Sequence, residues 1–343
     1  MTATVTTPDD LAPLQQQMAG FDKRISALEA AQAAPPPPNT GSGSGGGQPQ
    51  PAAVAAAFPA SLLIPRSSVS ADYSFGAGRT VPDLATVKTF FDPHYPNGDV
   101  TLTGNSECEI YDVTWGHHVL EAKSIALVAE AVRPIVGTSA FSTADLGAIK
   151  SAMLSTKSTF NGGYFEVRAK VPPAASKGAW PAAWITVGVQ ADPAHPDWWP
   201  PEVDLFEIAN NSGDAINADG NAWPTFGVIS AGPVWQANVV SSKVNQWNGY
   251  AAGVDLGLDF HVFGLEWIKD SSGKNLGDRF RRYLDGVLVH DMVQRWCYAD
   301  NTPAAAAHFY LDLAYGGTWA GRNGINPAGL PCAYEIDYLR VFA

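Results

Sequence analysis

Charged residues are scarce in this chain, and basic residues are the scarcer kind. Only 16% of the 343 residues are charged, and 21 Lys and Arg stand against 33 Asp and Glu, which gives a net charge of −12 at pH 7. A chain this acidic has no electrostatic attraction for nucleic acid or for an anionic membrane surface. We therefore expect neither nucleic acid nor a membrane as a partner.

Cysteine is rarer still. Cys108, Cys297 and Cys332 form no C-x-x-C pair and show no zinc-site spacing. Three cysteines allow at most one disulfide, so we predict buried free thiols. The chain also opens without a basic segment followed by an apolar run, so it shows no secretory signal.

Helical periodicity is confined to the first 33 residues. Thr7 and Pro8 are suited to the cap and first position of a helix. Apolar residues then recur at intervals of three and four over about three heptads, which is the a/d pattern of a coiled coil. These residues are Leu11, Leu14, Met18, Phe21, Ile25 and Leu28. We predict that residues 1–33 form an oligomerisation stalk with contacts through residues 9–32. The alternative is a single amphipathic helix packed on the main domain.

A segment rich in Pro, Gly and Ser follows the heptads. Residues 34–57 contain four consecutive prolines and a Gly-Ser run, and such a composition cannot build a core. We read it as a flexible linker, which leaves residues 58–343 as the globular domain.

That domain has the pattern of an all-β protein. Gly, Pro and aromatic residues are abundant, and strand-like runs alternate with turn signals, for example at 163–171, 261–267, 308–313 and 334–342. Asp285-Gly286, between two further runs, is suited to a type I′ hairpin turn. We predict a two-sheet antiparallel β-sandwich.

The segment Glu202-Val203-Asp204-Leu205-Phe206-Glu207 carries the main chemical signal. Glu202 and Asp204 share a face of a strand, but Glu207 falls on the opposite face. One extra residue in a β-bulge at Leu205-Phe206 would return Glu207 to the acidic face. Like charges at such spacing push their pKa values apart, as acid/base chemistry requires. The alternative is an edge strand that carries solvated charges.

The order of motifs from residue 156 onward resembles glycoside hydrolase family 16. Glu202 to Glu207 resembles the family's E-x-D-x-x-E signature, in its variant with a bulge. The resemblance covers about residues 84–343 and includes segments 156–170, 178–184, 260–267, 283–286, 313–319 and 335–341. It implies a β-jelly-roll sandwich and retaining endo-hydrolysis of a β-linked polysaccharide. It also implies that Glu202 is the nucleophile, that Glu207 is the general acid/base and that Asp204 tunes Glu202.

The resemblance also implies substrate contacts, since flat aromatic rings suit the apolar faces of sugars. The substrate-binding candidates from the resemblance are Trp180, Trp184, Trp319 and His261. Trp199 is a further candidate, because it and Trp198 are adjacent in a Pro-bounded loop and cannot easily both be core. Core packing is the alternative for the tryptophans, and for His261 a structural role is the favoured interpretation. No cofactor is required. A structural calcium occurs in the family, and Asp337 is a possible ligand.

Sparse basic residues near the acidic motif favour a neutral polysaccharide, so β-1,3- or β-1,3-1,4-glucan is the expected substrate. Two alternatives remain open: an exopolysaccharide depolymerase on a phage tail, and a non-catalytic carbohydrate-binding or virion module. The stalk, the linker and the missing secretory signal motivate the first. We expect an extracellular or virion-associated protein.

Deletion of residues 1–33 should lower the oligomeric state, because it removes the apolar heptad residues through which the chains associate. Hydrolysis of short oligosaccharides should not change. Sedimentation velocity of the truncated and complete chains tests this, and identical profiles would refute the stalk.

Overall fold

The computed structural model of the chain contains a sandwich of two β-sheets. It describes residues 62–64, 69–76, 79–102, 106–135, 145–173, 175–188, 200–210, 256–272, 277–297, 303–321 and 324–343, and the backbone alone of 224–229, 245–249, 294, 318 and 319. The predicted stalk of residues 1–33 and linker of residues 34–57 lie outside the described residues.

Strands dominate the described part of the chain. They are β1 Val69–Ser74, β2 Phe91–Asp92, β3 Glu109–Tyr111, β4 His118–Leu120, β5 Ile125–Ala131, β6 Ile149–Ser151, β7 Met153–Thr156, β8 Gly163–Lys170, β9 Ala179–Thr186, β10 Glu202–Ile208, β11 Pro224–Ile229, β12 Asn245–Gly249, β13 His261–Ile268, β14 Asp278–Leu284, β15 Val287–Gln294, β16 His308–Tyr315 and β17 Cys332–Phe342. The helical segments are α1 Leu84–Phe90, α2 Gly317–Ala320 and a 3₁₀ turn Pro327–Gly329. No helix of the described residues is long and apolar enough to cross a membrane.

The strands form a ten-stranded sheet and a seven-stranded sheet. The ten-stranded sheet runs β15-β14-β13-β8-β17-β5-β6-β3, with β1 paired to β17 and β4 paired to β5. The seven-stranded sheet runs β12-β11-β10-β9-β16-β7-β2. Pairing is antiparallel except between β3 and β6. The predicted two-sheet antiparallel architecture is confirmed.

The core lies between the two sheets and follows the alternation of their strands. Phe206 of β10 packs on Phe263 of β13 with ring centroids 4.1 Å apart. Phe165 of β8 stacks on Phe309 of β16 at 5.5 Å. Aromatic contacts of this kind add to the free energy gained by apolar burial. The other face of the seven-stranded sheet carries both aromatic and polar side chains, among them Trp184, Tyr310 and Asp312.

Two local predictions are confirmed. Asp285 and Gly286 form a two-residue turn between β14 and β15, with φ values of 47° and 82°, and a type I′ turn requires positive φ at both positions. The three cysteines are free and buried.

A short N-terminal segment crosses the outer face of the ten-stranded sheet. The fully buried Glu266 carboxylate accepts hydrogen bonds from the backbone N–H groups of Leu63 (2.5 Å) and Ile64 (2.6 Å). The same carboxylate accepts from Arg281 Nη1 (2.8 Å) and from the Tyr283 hydroxyl (2.9 Å). Four donors satisfy a charge that would otherwise be costly to bury, so these contacts fix the segment to the sheet.

Candidate active site

The acidic motif occupies β10, an interior strand of the seven-stranded sheet. β9 pairs with β10 on one side and β11 pairs with it on the other. Every residue from Glu202 to Ile208 is buried. The alternative of an edge strand with solvated charges is therefore wrong.

The predicted bulge is present. Glu202 lies opposite Thr186, and Asp204 lies opposite Trp184, but Phe206 is the residue opposite Ala183, so Leu205 is the extra residue. The register then resumes with Glu207 opposite Ala182.

The shift in register decides where Glu207 points. Ala182, Trp184 and Thr186 share one face of β9 because side chains alternate along a strand. Their partners Glu202, Asp204 and Glu207 therefore share the same face of β10, as the bulge prediction required. Four apolar side chains turn the other way and join the hydrophobic core: Val203, Leu205, Phe206 and Ile208.

A fourth carboxylate joins the three acids. Asp312 of β16 lies opposite Ala182, so it sits on the acidic face two strands from Glu207. Its Oδ2 accepts a hydrogen bond from the Tyr111 hydroxyl at 2.9 Å, and its Oδ1 accepts from Trp184 Nε1 at 2.7 Å.

The predicted tryptophans Trp180 and Trp184 lie on this face. Trp180 Nε1 donates to Glu207 Oε1 at 3.1 Å. Trp184 stacks on Tyr310 with ring centroids 4.5 Å apart and an interplanar angle of 28°. Both tryptophans are only 6–7% exposed. Their described contacts are with carboxylates and neighbouring rings. Substrate stacking by these two residues stays a prediction.

Burial sets the protonation of the central acids. Removal from water raises the pKa of Glu207 well above its usual value, and the charge of Glu202 raises it further, whereas the hydrogen bond from Trp180 lowers it. Burial, followed by the charges of Glu207 and Glu202, also raises the pKa of Asp204 well above its usual value. The predicted effect of Glu202 on Glu207 is present, but burial is the larger cause.

A second pair of buried acids lies near this face. The charge of Glu107 contributes to the raised pKa of Glu207. Burial and Glu107 together raise the pKa of Glu109 well above its usual value, although the Tyr315 backbone N–H donates to Glu109 Oε2 at 2.8 Å. The site is thus an acidic, poorly hydrated face that favours protonated carboxyl groups.

Among the other predicted substrate-binding residues, only His261 has a described side chain. His261 starts β13 in the ten-stranded sheet, where its Nδ1 lies 2.7 Å from Asp285 Oδ2, so the structure does not bring it to the three acids. Trp319 belongs to α2, but its side chain is outside the described residues, and Trp199 is outside them altogether.

Asp337 lies on β17, in the ten-stranded sheet. Arg168 Nη1 donates to its Oδ2 at 2.6 Å, and its carbonyl accepts from the backbone N–H of Phe75 at 2.8 Å. Arg168 thus occupies one of the two carboxylate oxygens of Asp337, and a calcium role for this residue stays a prediction. Among the described residues, no three His, Cys, Asp or Glu side chains are grouped to hold a metal ion.

Sequence reasoning missed Asp312 and its partner Tyr111. The signal for Asp312 was available, because Phe309, Leu311 and Leu313 alternate with the polar positions His308, Tyr310 and Asp312. Tyr111 lies 201 residues away from Asp312 and carries no local signal.

The chain belongs to the glycosyl hydrolases family 16, whose family model matches residues 109–340. Two similar proteins have names that point to different roles. A β-glucanase of Rhodothermus marinus is 24% identical over 201 residues, which cover 56% of this chain and 62% of the relative. A β-1,3-glucan-binding protein of Penaeus monodon is 30% identical over 200 residues, which cover 53% of this chain and 50% of that protein.

The fold is shared with solved structures. The laminarinase catalytic domain of Thermotoga maritima superimposes with a TM-score of 0.56 at 22% identity, over 80% of this chain and 97% of that domain. The match covers only 62% and 50% of the lengths of the two relatives above.

Asp312→Asn should change how stability depends on pH. Burial raises the pKa of Asp312 from 3.8 to about 6, so the folded state binds the proton more tightly than the unfolded state. The stability that protonated Asp312 contributes to the fold is fully present below about pH 4 and is lost as the pH rises through 6. Asparagine does not titrate. Raising the pH from 3.5 to 7 should therefore lower the unfolding free energy of the wild type by about 3 kcal/mol relative to that of Asp312→Asn, because one pKa unit corresponds to 1.36 kcal/mol.

Urea unfolding of both proteins at the two pH values measures this difference. Asp72→Asn is the matched control, because Asp72 lies on β1 in the other sheet. Equal pH dependence of Asp312→Asn and the wild type would contradict the prediction.

Proposed function

We propose that the chain is a retaining endo-hydrolase of β-linked glucan, with β-1,3- or β-1,3-1,4-glucan as substrate. The observation that carries the proposal is the bulged central strand, which turns Glu202, Asp204 and Glu207 to one face in a chain of family 16. A relative named as a β-glucanase supports the substrate class.

Glu207 is the proposed acid. Its raised pKa keeps a proton available at neutral pH, and this proton passes to the glycosidic oxygen as the bond to the leaving sugar breaks. Glu202 attacks the anomeric carbon and forms a covalent glycosyl ester. The two carboxyl groups must lie about 5–5.5 Å apart for this mechanism. Glu202 and Glu207 lie on either side of Asp204 on one face, and glutamate side chains are long enough to bring their carboxyl groups together above it.

The second step returns the enzyme to its first state. Formation of the ester removes the charge of Glu202, which is one cause of the raised pKa of Glu207. The pKa of Glu207 therefore falls, and its carboxylate takes a proton from water while the water oxygen attacks the anomeric carbon and releases Glu202. Asp204 stays beside both groups as an electrostatic partner.

A non-catalytic glucan-binding protein is the second candidate. The relative from Penaeus monodon, 30% identical over the matched residues, is named as a β-1,3-glucan-binding protein. Such a protein has no need of a proton donor, so loss of the Glu207 carboxyl would leave binding intact.

Glu207→Gln should slow release of reducing ends from laminarin or mixed-linkage glucan by about 10²–10⁴-fold in kcat, because the glutamine amide is too weak an acid to protonate the leaving oxygen. An aryl glycoside with an acidic phenol as leaving group needs no protonation, so its glycosylation step should be almost unaffected. The panel also includes xyloglucan, agarose, carrageenan and a bacterial exopolysaccharide. Cleavage of the exopolysaccharide alone would favour a depolymerase, and binding without cleavage of any polymer would favour the second candidate.

Glu202→Ala should abolish hydrolysis with folding intact, and azide should restore turnover of an activated β-glycoside as the α-glycosyl azide, because azide enters from the side the carboxylate has left. Azide with Glu207→Gln should instead give the β-azide through the covalent intermediate. Glu335→Ala, on the other sheet, is the control and should behave as wild type. Substantial hydrolysis by Glu202→Ala would refute its role as nucleophile.

A further inference from the structure

A fully buried arginine crosses the core of the sandwich. Arg282 lies on β14 of the ten-stranded sheet and has no exposed surface. Phe280 and Leu284, two residues to either side on the same face, belong to the hydrophobic core. An arginine in such surroundings is rare, because its charge loses the hydration of water.

The guanidinium group connects β15 to the acidic strand. Arg282 Nε donates to the backbone carbonyl of Asp204 at 2.7 Å, and Arg282 Nη1 lies 2.6 Å from His290 Nδ1. An arginine donates only, so His290 accepts through Nδ1 and is neutral. Burial, reinforced by the charge of Arg282, lowers the pKa of His290 to about 4, which agrees with the neutral form.

The contact falls where β10 is irregular against both of its neighbouring strands. Asp204 directly precedes Leu205, the extra residue against β9. On the other side, residues 204–206 of β10 stand against only Phe226 and Gly227 of β11, because the paired positions jump from Val203–Val228 to Glu207–Thr225. Backbone groups at a bulge lose regular ladder partners and need partners elsewhere.

The charge of Arg282 is opposite in sign to that of the acids around Asp204. Burial lowers its pKa to about 10, so it remains a cation at neutral pH. Its charge lowers the pKa of Asp204, against the raising effects of burial, Glu207 and Glu202.

We propose that Arg282, supported by His290, is a positioning residue that holds the bulge at Leu205 and thereby keeps Glu207 on the face that Glu202 and Asp204 share. The consequence for turnover rests on the proposed hydrolase function, whereas the consequence for the strand does not. An arginine that served only to join the two sheets would affect the stability of the domain but not the turnover of its folded form.

Arg282→Met tests the proposal, since methionine is apolar and fills much of the same space. The folded variant should lose about 100-fold in kcat on the glucan that the wild type cleaves, because small misplacement of reacting groups costs that much, while KM stays within about threefold. Arg279→Met is the matched control. Arg279 lies on the same strand, paired with Asp291 and 46% exposed, and its loss should leave kcat unchanged.

Hydrogen exchange gives a readout that needs no activity. In folded Arg282→Met, the amides of residues 204–207 should exchange at least about tenfold faster, with other β-strands unchanged. Wild-type kcat together with wild-type exchange would overturn the proposal, and so would faster exchange spread evenly over both sheets. If the wild type cleaves no glucan, the hydrolase proposal fails and exchange alone decides the role of Arg282.

His290→Leu decides the matter if Arg282→Met does not fold. It keeps the arginine and removes the acceptor at 2.6 Å from Nη1. We expect about a tenfold loss in kcat and faster exchange confined to residues 204–207. Wild-type behaviour of His290→Leu would refute the proposal.

Discussion

One extra residue in a central strand is the constraint on which the site depends. Without Leu205 outside the register, Glu207 would point into the hydrophobic core and Ile208 would point away from it. With it, Leu205 and Phe206 both enter the core, and Phe206 reaches Phe263 of the opposite sheet. The packing of the sandwich and the position of the acids are therefore two results of the same irregularity.

The acids are placed where water is scarce, and this placement determines their chemistry. Carboxylates on an interior strand cannot all stay charged, so protons are retained at neutral pH. The described donors that reach them are few and specific: Trp180 to Glu207, and Trp184 and Tyr111 to Asp312. Aromatic side chains thus supply hydrogen bonds as well as apolar surface, which explains why they lie on the polar face.

Local patterns predicted what depends on neighbours in sequence. The parity of Glu202, Asp204 and Glu207 required a bulge, and Asp285-Gly286 required a type I′ turn. Long-range partners left no such trace. Arg282 follows another arginine in an alternating strand and reads as a surface residue, because no sequence pattern reveals that the carbonyl of Asp204, 78 residues earlier, needs a donor. His261 was a candidate for substrate contact with a structural role as the favoured interpretation, and its contact with Asp285 agrees with a structural role.

The contact between Glu266 and the backbone of Leu63 and Ile64 has a mechanical meaning. Tension on the chain ahead of residue 62 is received by the ten-stranded sheet through these two hydrogen bonds. The seven-stranded sheet, which carries Glu202, Asp204 and Glu207, lies outside this direct path. A pull from that end would therefore load the outer face of one layer first, and the force would reach the acid-bearing layer only through the shared core.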